Sequence, residues 1–221
     1  MTTRFPTDWR TALVLVPHPD DPEYGMAAAV HRWTSEGKRV IYTLATSGEA
    51  GIEGMPPEEC GPVREDEQRR SAAHVGVDVV EFLGFPDSQL VNDEALRAAV
   101  HAAIERHHPE VIITIYTGEE YGPGMPNQSD HINFGNTVAQ VVAERGGLLF
   151  ETAPSGEHTV ELECEDVEAA VASLAEHEQY LSVLDPGTPV AEQARRQVDM
   201  STIGEDGARR STFILRASTP G

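Results

Sequence analysis

The sequence predicts an α/β protein with a Rossmann-like three-layer sandwich, a mostly parallel sheet and a less regular C-terminal part. Short apolar runs alternate with amphipathic segments of helical period from residue 11 to about residue 145. This alternation is typical of parallel strands joined by crossover helices. We expect residues 1–221 to form a single domain, because a chain of this length with 39% hydrophobic residues can bury one sizeable core.

The predicted elements follow in chain order. The apolar run "TALVLV" reads as a buried strand, Gly37 ends the helix that follows it, and Pro62 opens the next helix. A glycine- and proline-containing loop at 117–130 is either a lid over a site or a plain surface loop. The predicted strands are 11–16, 39–45, 78–84, 110–116, 148–152, 158–164 and 211–217, and the predicted helices are 23–36, 62–76, 93–107, 131–145, 166–184 and 189–200.

The charge balance limits the partners that the protein can bind. Sixteen basic and 37 acidic residues give a formal net charge of -21, which disfavours a nucleic-acid groove and an anionic membrane surface. No apolar run approaches the length of a membrane span. We therefore expect a soluble, cytoplasmic protein that takes a neutral or cationic small molecule and can form a homo-oligomer. Cys60 and Cys164 are expected to be ordinary thiols.

The first strand is followed by the polar sequence "HPDDPEYG". Ligands of open α/β sheets bind beyond the carboxyl ends of the strands, which is where His18, Asp20 and Asp21 lie. Imidazole and carboxylate at this spacing suit a catalytic metal, with His18 and Asp21 as ligands and Asp20 left free beside them. A second interpretation stays open at this point, in which Asp21 only caps a helix and His18 is a polar loop residue.

A third ligand is expected after another strand. The loop after the fourth strand ends in "SDH", which makes His131 the candidate ligand and Asp130 a carboxylate that orients the site. The alternative is that Asp130 simply caps the helix that begins there. Glu49 and Asp87 follow the second and third strands, so four strand ends would meet at one polar crevice.

The motifs taken together resemble the zinc-dependent N-deacetylases of the PIG-L or LmbE-like family. The resemblance rests on five motifs in order: "PHPDD", "TSGEAG", "VREDEQRRSAAHVGV", "LGFPDSQL" and "SDH". It implies one zinc ion per chain, held by His18, Asp21 and His131, with Asp20 as the general base.

Other roles follow from the same resemblance. Glu49, Arg64 and Asp87 match positions that lie near the sugar or order the site in relatives, and we place them among the substrate-binding residues. His177 matches a helical histidine that relatives carry near the cleft. The resemblance also places Asp130 among the catalytic residues. In relatives, the residue two positions before this aspartate is commonly a histidine.

Gln128 occupies that histidine position in this chain. A glutamine can donate a hydrogen bond to an oxyanion, but it cannot act as an acid near neutral pH. We still place Gln128 among the catalytic residues.

The predicted function is zinc-dependent removal of an acetyl or other acyl group from the nitrogen of an amino sugar or related conjugate, using metal-activated water. A non-catalytic metal- or carbohydrate-binding protein is the main alternative, because Gln128 replaces an acid. Another metal hydrolase, such as a phosphoesterase, is disfavoured because Arg64 is the only basic residue of the strand-end motifs.

Overall fold

The predicted α/β class is confirmed by the computed structural model, which describes residues 2–153, 155–204 and 206–218. One large sheet has the strand order β1-β9-β10-β8-β5-β2-β3-β4. Its strands are β1 (Thr3–Arg4), β2 (Thr11–Val16), β3 (Arg39–Leu44), β4 (Val79–Phe82), β5 (Val111–Thr114), β8 (Leu148–Thr152), β9 (His158–Glu161) and β10 (Arg210–Ser218). A separate hairpin consists of β6 (Glu120–Gly122) and β7 (Met125–Pro126).

Eight helices are formed by the described residues. They are α1 (Asp21–Gly25), α2 (Ala27–Ser35), α3 (Pro57–His74), α4 (Glu94–His107), α5 (Ser129–Arg145), α6 (Cys164–Ala175), α7 (Glu178–Leu184) and α8 (Val190–Thr202). Within the described ranges, no helix is both long and apolar enough to cross a bilayer.

The sheet is parallel from β8 through β5, β2 and β3 to β4. Strand β10 runs antiparallel between β8 and β9, which makes the C-terminal part less regular, as predicted. The carboxyl ends of β2, β3, β4 and β5 therefore lie at one edge of the sheet, and the polar motifs of the sequence follow these ends.

Two apolar cores cover the two faces of the sheet and produce the three layers. Successive side chains of β2 point to opposite faces: Val14 and Val16 belong to one core, while Leu13 and Leu15 belong to the other. The first core packs against α2, α6 and α8, and the second packs against α4 and α5. Burial of β2 on both faces explains why its sequence is a continuous apolar run.

Several predicted boundaries are wrong. The helix predicted at 23–36 is two helices, α1 and α2, separated at Met26. The helix predicted at 166–184 ends at Ala175, and α7 begins at Glu178, with His177 between them. In both cases the apolar period continues across the break, so the pattern alone does not show it.

Pro62 does not open a helix as predicted, because α3 already begins at Pro57. Proline suits the first turn of a helix, where its fixed φ is favourable and its missing N–H is not needed. Pro57 occupies that position, and Pro62 lies in the helix interior. The helix start predicted at Pro62 is therefore five residues too late.

Candidate metal centre

The strand-to-helix elbow after β2 gives the site its shape. Asp20 has φ 84° and ψ −24°, a left-handed conformation that is rare for residues other than glycine. The carbonyl of Asp20 accepts hydrogen bonds from the backbone N–H groups of Glu23 and Tyr24. Pro22 lies in the first turn of α1. This backbone turns the two consecutive aspartates in different directions.

His18, Asp21 and His131 form a buried cluster. Asp21 Oδ1 lies 3.1 Å from His131 Nε2, and Asp21 Oδ2 lies 3.5 Å from His18 Nδ1. The backbone N–H of His18 also donates to Asp21 Oδ2, at 2.7 Å. Ligand atoms of all three residues lie within 4.8 Å of one another. The structure thus brings together the three residues that were predicted to hold a metal.

The other nitrogen of the His18 ring faces two more carboxylates. His18 Nε2 lies 3.2 Å from Asp87 Oδ1 and 3.3 Å from Asp130 Oδ2. The second oxygens of these carboxylates accept backbone N–H groups, from Ala50 at 2.9 Å and from Leu90 at 3.2 Å. Carboxylates in this arrangement orient a metal-binding imidazole and make it a stronger electron-pair donor to the metal.

His131 shows that the donor set fits a metal ion. Its buried Nε2 atom makes no well-aligned hydrogen bond, although Asp21 Oδ1 lies 3.1 Å away. Its Nδ1 atom lies 3.0 Å from Asn127 Oδ1 and within hydrogen-bond distance of the Tyr121 hydroxyl. A proton on Nδ1 would satisfy the Asn127 oxygen and leave the lone pair of Nε2 free. Imidazole nitrogen and carboxylate oxygen are ordinary zinc ligands.

The charges of the cluster also favour a cation. Burial acts to lower the pKa of His18, but hydrogen bonds with Asp130, Asp21 and Asp87 outweigh burial and raise that pKa well above its usual value. Burial acts to raise the pKa of Asp21, but the attraction of His131 and His18 lowers it. A cation bound among these carboxylates would offset the cost of burying several negative charges.

Asp20 is not part of this ligand set, and its carboxylate contacts an arginine. Arg64 Nη2 donates to Asp20 Oδ1 at 3.1 Å and to the carbonyl of Pro19 at 2.7 Å, and Arg64 Nη1 donates to the carbonyl of Gly48 at 3.1 Å. Burial raises the pKa of Asp20 to about 6, and Arg64 opposes that rise. The Asp20 carboxylate is therefore held in place by Arg64 and is not one of the candidate metal ligands.

The glycines of "TSGEAG" are explained by the same arginine. A Cβ atom at Gly48 or at Gly51 would overlap the Arg64 guanidinium, and Gly48 also has φ +63°. The Tyr180 ring covers the other side, with its centroid 4.3 Å from Arg64 Cζ. Arg64 is only 3% exposed, as these close contacts require.

A second buried network holds the backbone of Asp20. Gln68 Oε1 accepts the Asp20 N–H at 2.8 Å, and Gln68 Nε2 donates to both oxygens of Glu23, at 3.2 and 3.3 Å. Behind Glu23 lie Ser173 Oγ, at 3.3 Å, and His177 Nε2, at 3.4 Å. Because Glu23 accepts from the amide nitrogen, the Gln68 oxygen must face Asp20.

The remaining predicted residues are placed as follows. Glu49 Oε1 accepts the Asp87 N–H at 2.8 Å, which places Glu49 beside the site. Gln128 is the residue before α5, where its exposed side chain makes no capping hydrogen bond. His177 is fully buried behind Glu23.

Sequence reasoning missed three kinds of contact. The first is the role of Gln68, which lies one helical turn after Arg64 on the same face of α3 and could have been found from that spacing. The second is the Tyr180 ring over Arg64. The third is Asn127 beside His131, for which the four-residue spacing within the chain was the available signal.

Fold and site together define a class: three-layer α/β proteins with a buried His/Asp/His cluster, able to hold a metal ion, beyond the carboxyl ends of parallel strands. A family model described as "PIG-L: GlcNAc-PI de-N-acetylase" matches residues 13–142 of the chain. This chain belongs to the PIG-L family, in agreement with the resemblance seen in its motifs.

Named relatives show the same affiliation. The chain is 29% identical over 141 residues to the "Probable N-acetyl-alpha-D-glucosaminyl L-malate deacetylase 2" of Bacillus anthracis, a match that covers 61% of this chain and 60% of the relative. It is 29% identical over 108 residues to the diacetylchitobiose deacetylase of Thermococcus kodakarensis, covering 48% and 40%. The matches thus span less than two thirds of these relatives' lengths.

A solved structure supports the fold over nearly the whole chain. The N,N'-diacetylchitobiose deacetylase from Pyrococcus horikoshii superimposes with a TM-score of 0.80 at 20% sequence identity. The superposition covers 94% of this chain and 84% of that structure. At this identity the likeness shows a shared fold, and the fold includes the C-terminal part that lies outside the family model's match.

Proposed function

We propose that this protein is a metal-dependent deacetylase that releases acetate from the nitrogen of an N-acetylated amino sugar in a small conjugate. The observation that carries the proposal is that two adjacent aspartates have different contacts: Asp21 lies with His18 and His131, whereas Asp20 is paired with Arg64 and stays outside that ligand set. The names of the relatives support the reaction and the sugar.

His18, Asp21 and His131 would hold the metal, and zinc suits this donor set. When bound, the ion would lower the pKa of water and polarise the amide carbonyl of the substrate. Asp87 and Asp130 would keep the His18 ring in one orientation. Asn127 and Tyr121 would do the same for His131 from the opposite side.

Asp20 would act as the general base. A carboxylate with a pKa of about 6 is ionised at neutral pH, yet it is basic enough to take a proton from the attacking water. The same group, once protonated, can return that proton to the departing nitrogen. Arg64 and Gln68 would keep the carboxylate in one position through both transfers.

Gln128 would contribute a hydrogen bond rather than a proton. Its amide can donate to the oxygen that becomes negative in the tetrahedral intermediate. Because Asp20 can serve both proton transfers, a second acid at position 128 is not required.

The test is acetate release by the purified protein after reconstitution with zinc. The substrates are N,N'-diacetylchitobiose and N-acetylglucosaminyl L-malate, and the controls are protein treated with a chelator and the Asp20→Asn variant. We expect acetate from at least one substrate, and none from either control. A protein that binds stoichiometric zinc but releases no acetate from any N-acetylated sugar would instead be a binding protein.

The ligand assignment has its own test. His131→Ala should abolish stoichiometric zinc binding, because the buried Nε2 atom would be lost. Full metal occupancy of the same site in purified His131→Ala would show that the assignment of His131 is wrong.

A further inference from the structure

A cavity lies beside Glu49, whose carboxylate contacts Asp87 at the edge of the candidate metal centre. It has a volume of about 240 Å³ and is lined by residues of the β3–α3 loop, the first half of α3 and the loop after β4. Whole sites for drug-sized ligands are roughly 300–1,000 Å³, so this cavity suits one part of a substrate.

One residue, Glu49, connects the cavity to the metal centre. Glu49 lines the cavity, and its Oε1 atom accepts the N–H of Asp87 at 2.8 Å. Asp87 Oδ1 in turn lies 3.2 Å from His18 Nε2. A sugar whose acetamide group reaches the metal centre would therefore have its neighbouring group close to this cavity.

The lining is acidic and partly apolar. Glu49 and Glu65 both line the cavity, together with Ser47, Phe85 and Pro62. Glu65 is neutralised by Arg69, at 2.8 Å, and accepts the Ser47 hydroxyl at 2.6 Å. Among the residues that the structure describes, no lysine or arginine pairs with Glu49, and its Oε2 atom is buried without a hydrogen-bond partner. An uncompensated carboxylate repels an anion and attracts a cation.

The described part of the cavity lining offers no cation to an anionic group. The described residues that line the cavity include neither lysine nor arginine. Arg64, the basic residue of the neighbouring motif, is 3% exposed and donates to Asp20, Pro19 and Gly48. The arginine that was predicted to touch the sugar is thus already engaged by the protein, and the net charge of -21 adds to the repulsion of anions.

We infer that the cavity beside Glu49 selects an amino-sugar substrate whose neighbouring group is uncharged or carries an amine, such as a second amino sugar, and rejects conjugates with a carboxylate or phosphate at that position. This inference rests on the proposed function and names its substrate class. Phe85 offers an apolar face for a sugar ring, and the Glu49 carboxylate places a negative charge beside that ring.

The test compares two conjugates that carry the same N-acetylglucosaminyl group. N,N'-diacetylchitobiose has an uncharged neighbour, and N-acetylglucosaminyl L-malate has two carboxylates. We expect kcat/KM to be at least about tenfold higher for diacetylchitobiose at low salt, with the ratio shrinking as salt screens the repulsion. Equal or better use of the malate conjugate would overturn the inference and leave the deacetylase proposal intact.

A binding measurement keeps the two proposals separate. Affinities of both compounds for zinc-loaded Asp20→Asn protein report selectivity without turnover. Tighter binding of diacetylchitobiose together with no acetate release by wild type would support the cavity's selectivity and overturn the deacetylase proposal. Equal or tighter binding of the malate conjugate would overturn the selectivity.

Two variants locate the effect in the cavity. Glu65→Gln frees Arg69 and should raise use of the malate conjugate relative to diacetylchitobiose by about tenfold, since one charge is removed and one cation is released. Glu168→Gln is the matched control, because it likewise frees an arginine, Arg195 of α8, outside the cavity lining. An unchanged ratio in Glu65→Gln, or an equal change in the control, would contradict the inference.

Discussion

Two walls of the candidate site differ in how many buried contacts hold them. We call the one around Asp20 the fixed wall, and the one formed by Gln128 and the β6–β7 hairpin the exposed wall. On one wall, Asp20 is 6% exposed, and separate buried side chains bind its carboxylate and its backbone N–H. On the other wall, Gln128 is exposed at the start of α5, and Tyr121 reaches His131 from a two-stranded hairpin. The group proposed to move protons is fixed, whereas Gln128, proposed to contact the acyl oxygen, faces solvent.

This difference has an energetic basis. A left-handed conformation at a residue other than glycine costs on the order of 1–3 kcal/mol, so Asp20 needs partners that favour it. Arg64 and Gln68 supply them from one helix, α3. The exposed wall carries no comparable strain among the residues named, and it can vary without unfolding the elbow.

The largest effect on turnover is expected at the fixed wall. Asp20→Asn removes the proton acceptor but keeps the size of the side chain and an oxygen that can face Arg64. We expect kcat to fall by roughly 10²- to 10⁴-fold, the usual contribution of a general base. The measurement is single-turnover acetate release at verified metal content. A loss of less than about tenfold would remove Asp20 from the mechanism.

Arg64→Leu should destabilise the fixed wall by removing the ion-pair partner of Asp20. Removing one partner of a buried ion pair typically costs about 3–5 kcal/mol, and we expect that loss in the free energy of unfolding measured with urea. Because the Arg64 cation lowers the pKa of Asp20, its loss should also move the acid limb of the pH–rate profile to higher pH.

Arg70→Leu is the control for this experiment. Arg70 lies on the same helix, and its ion pairs with Asp66 and Glu176 are exposed, so its loss should cost about 1 kcal/mol or less and leave the profile in place. Similar destabilisation by both variants, with no shift of the acid limb, would mean that Arg64 has only a structural role.

Gln128→Ala tests the exposed wall. We expect turnover to fall by roughly tenfold to a thousandfold if the amide donates to the developing oxyanion, without any change in stability or metal content. Gln128→His should keep turnover at the wild-type level or raise it, because a histidine can also donate a proton. Unchanged turnover in Gln128→Ala would exclude Gln128 from the reaction.

The smallest effect is expected at Tyr121. Tyr121→Phe removes one of the two hydrogen-bonding groups at His131 Nδ1, while Asn127 remains. We expect zinc affinity, measured by competition with a chelator, to fall about two- to tenfold, as for the loss of one hydrogen bond. A larger fall than in Asn127→Leu would mean that Tyr121 is the main orienting group.

The sequence predicted the fold class and the meeting of His18, Asp21 and His131, for a physical reason. Parallel strands end at one edge of the sheet, so polar residues that follow different strands must come together there. The fixed wall was not predicted. Gln68 and Arg64 contact Asp20 across 48 and 44 residues, and such contacts depend on how α3 packs rather than on any local pattern.

Local patterns also failed where the chain breaks a regular period. Met26 and His177 interrupt helices whose apolar spacing continues on both sides. The hairpin of β6 and β7 lies in a segment that was predicted as a loop. Its strands are only three and two residues long, so they show no recognisable alternation in the sequence. Elements this short are set by their neighbours and leave little pattern to read.

The central claim is that two adjacent aspartates have different tasks: Asp21 holds the metal and Asp20 accepts the proton. The direct measurement is the zinc content of purified Asp20→Asn and Asp21→Asn proteins after equal reconstitution, with folding checked by circular dichroism. We predict one zinc ion per chain in Asp20→Asn and loss of stoichiometric zinc in Asp21→Asn. Loss of zinc in Asp20→Asn, or full occupancy in Asp21→Asn, would contradict the account.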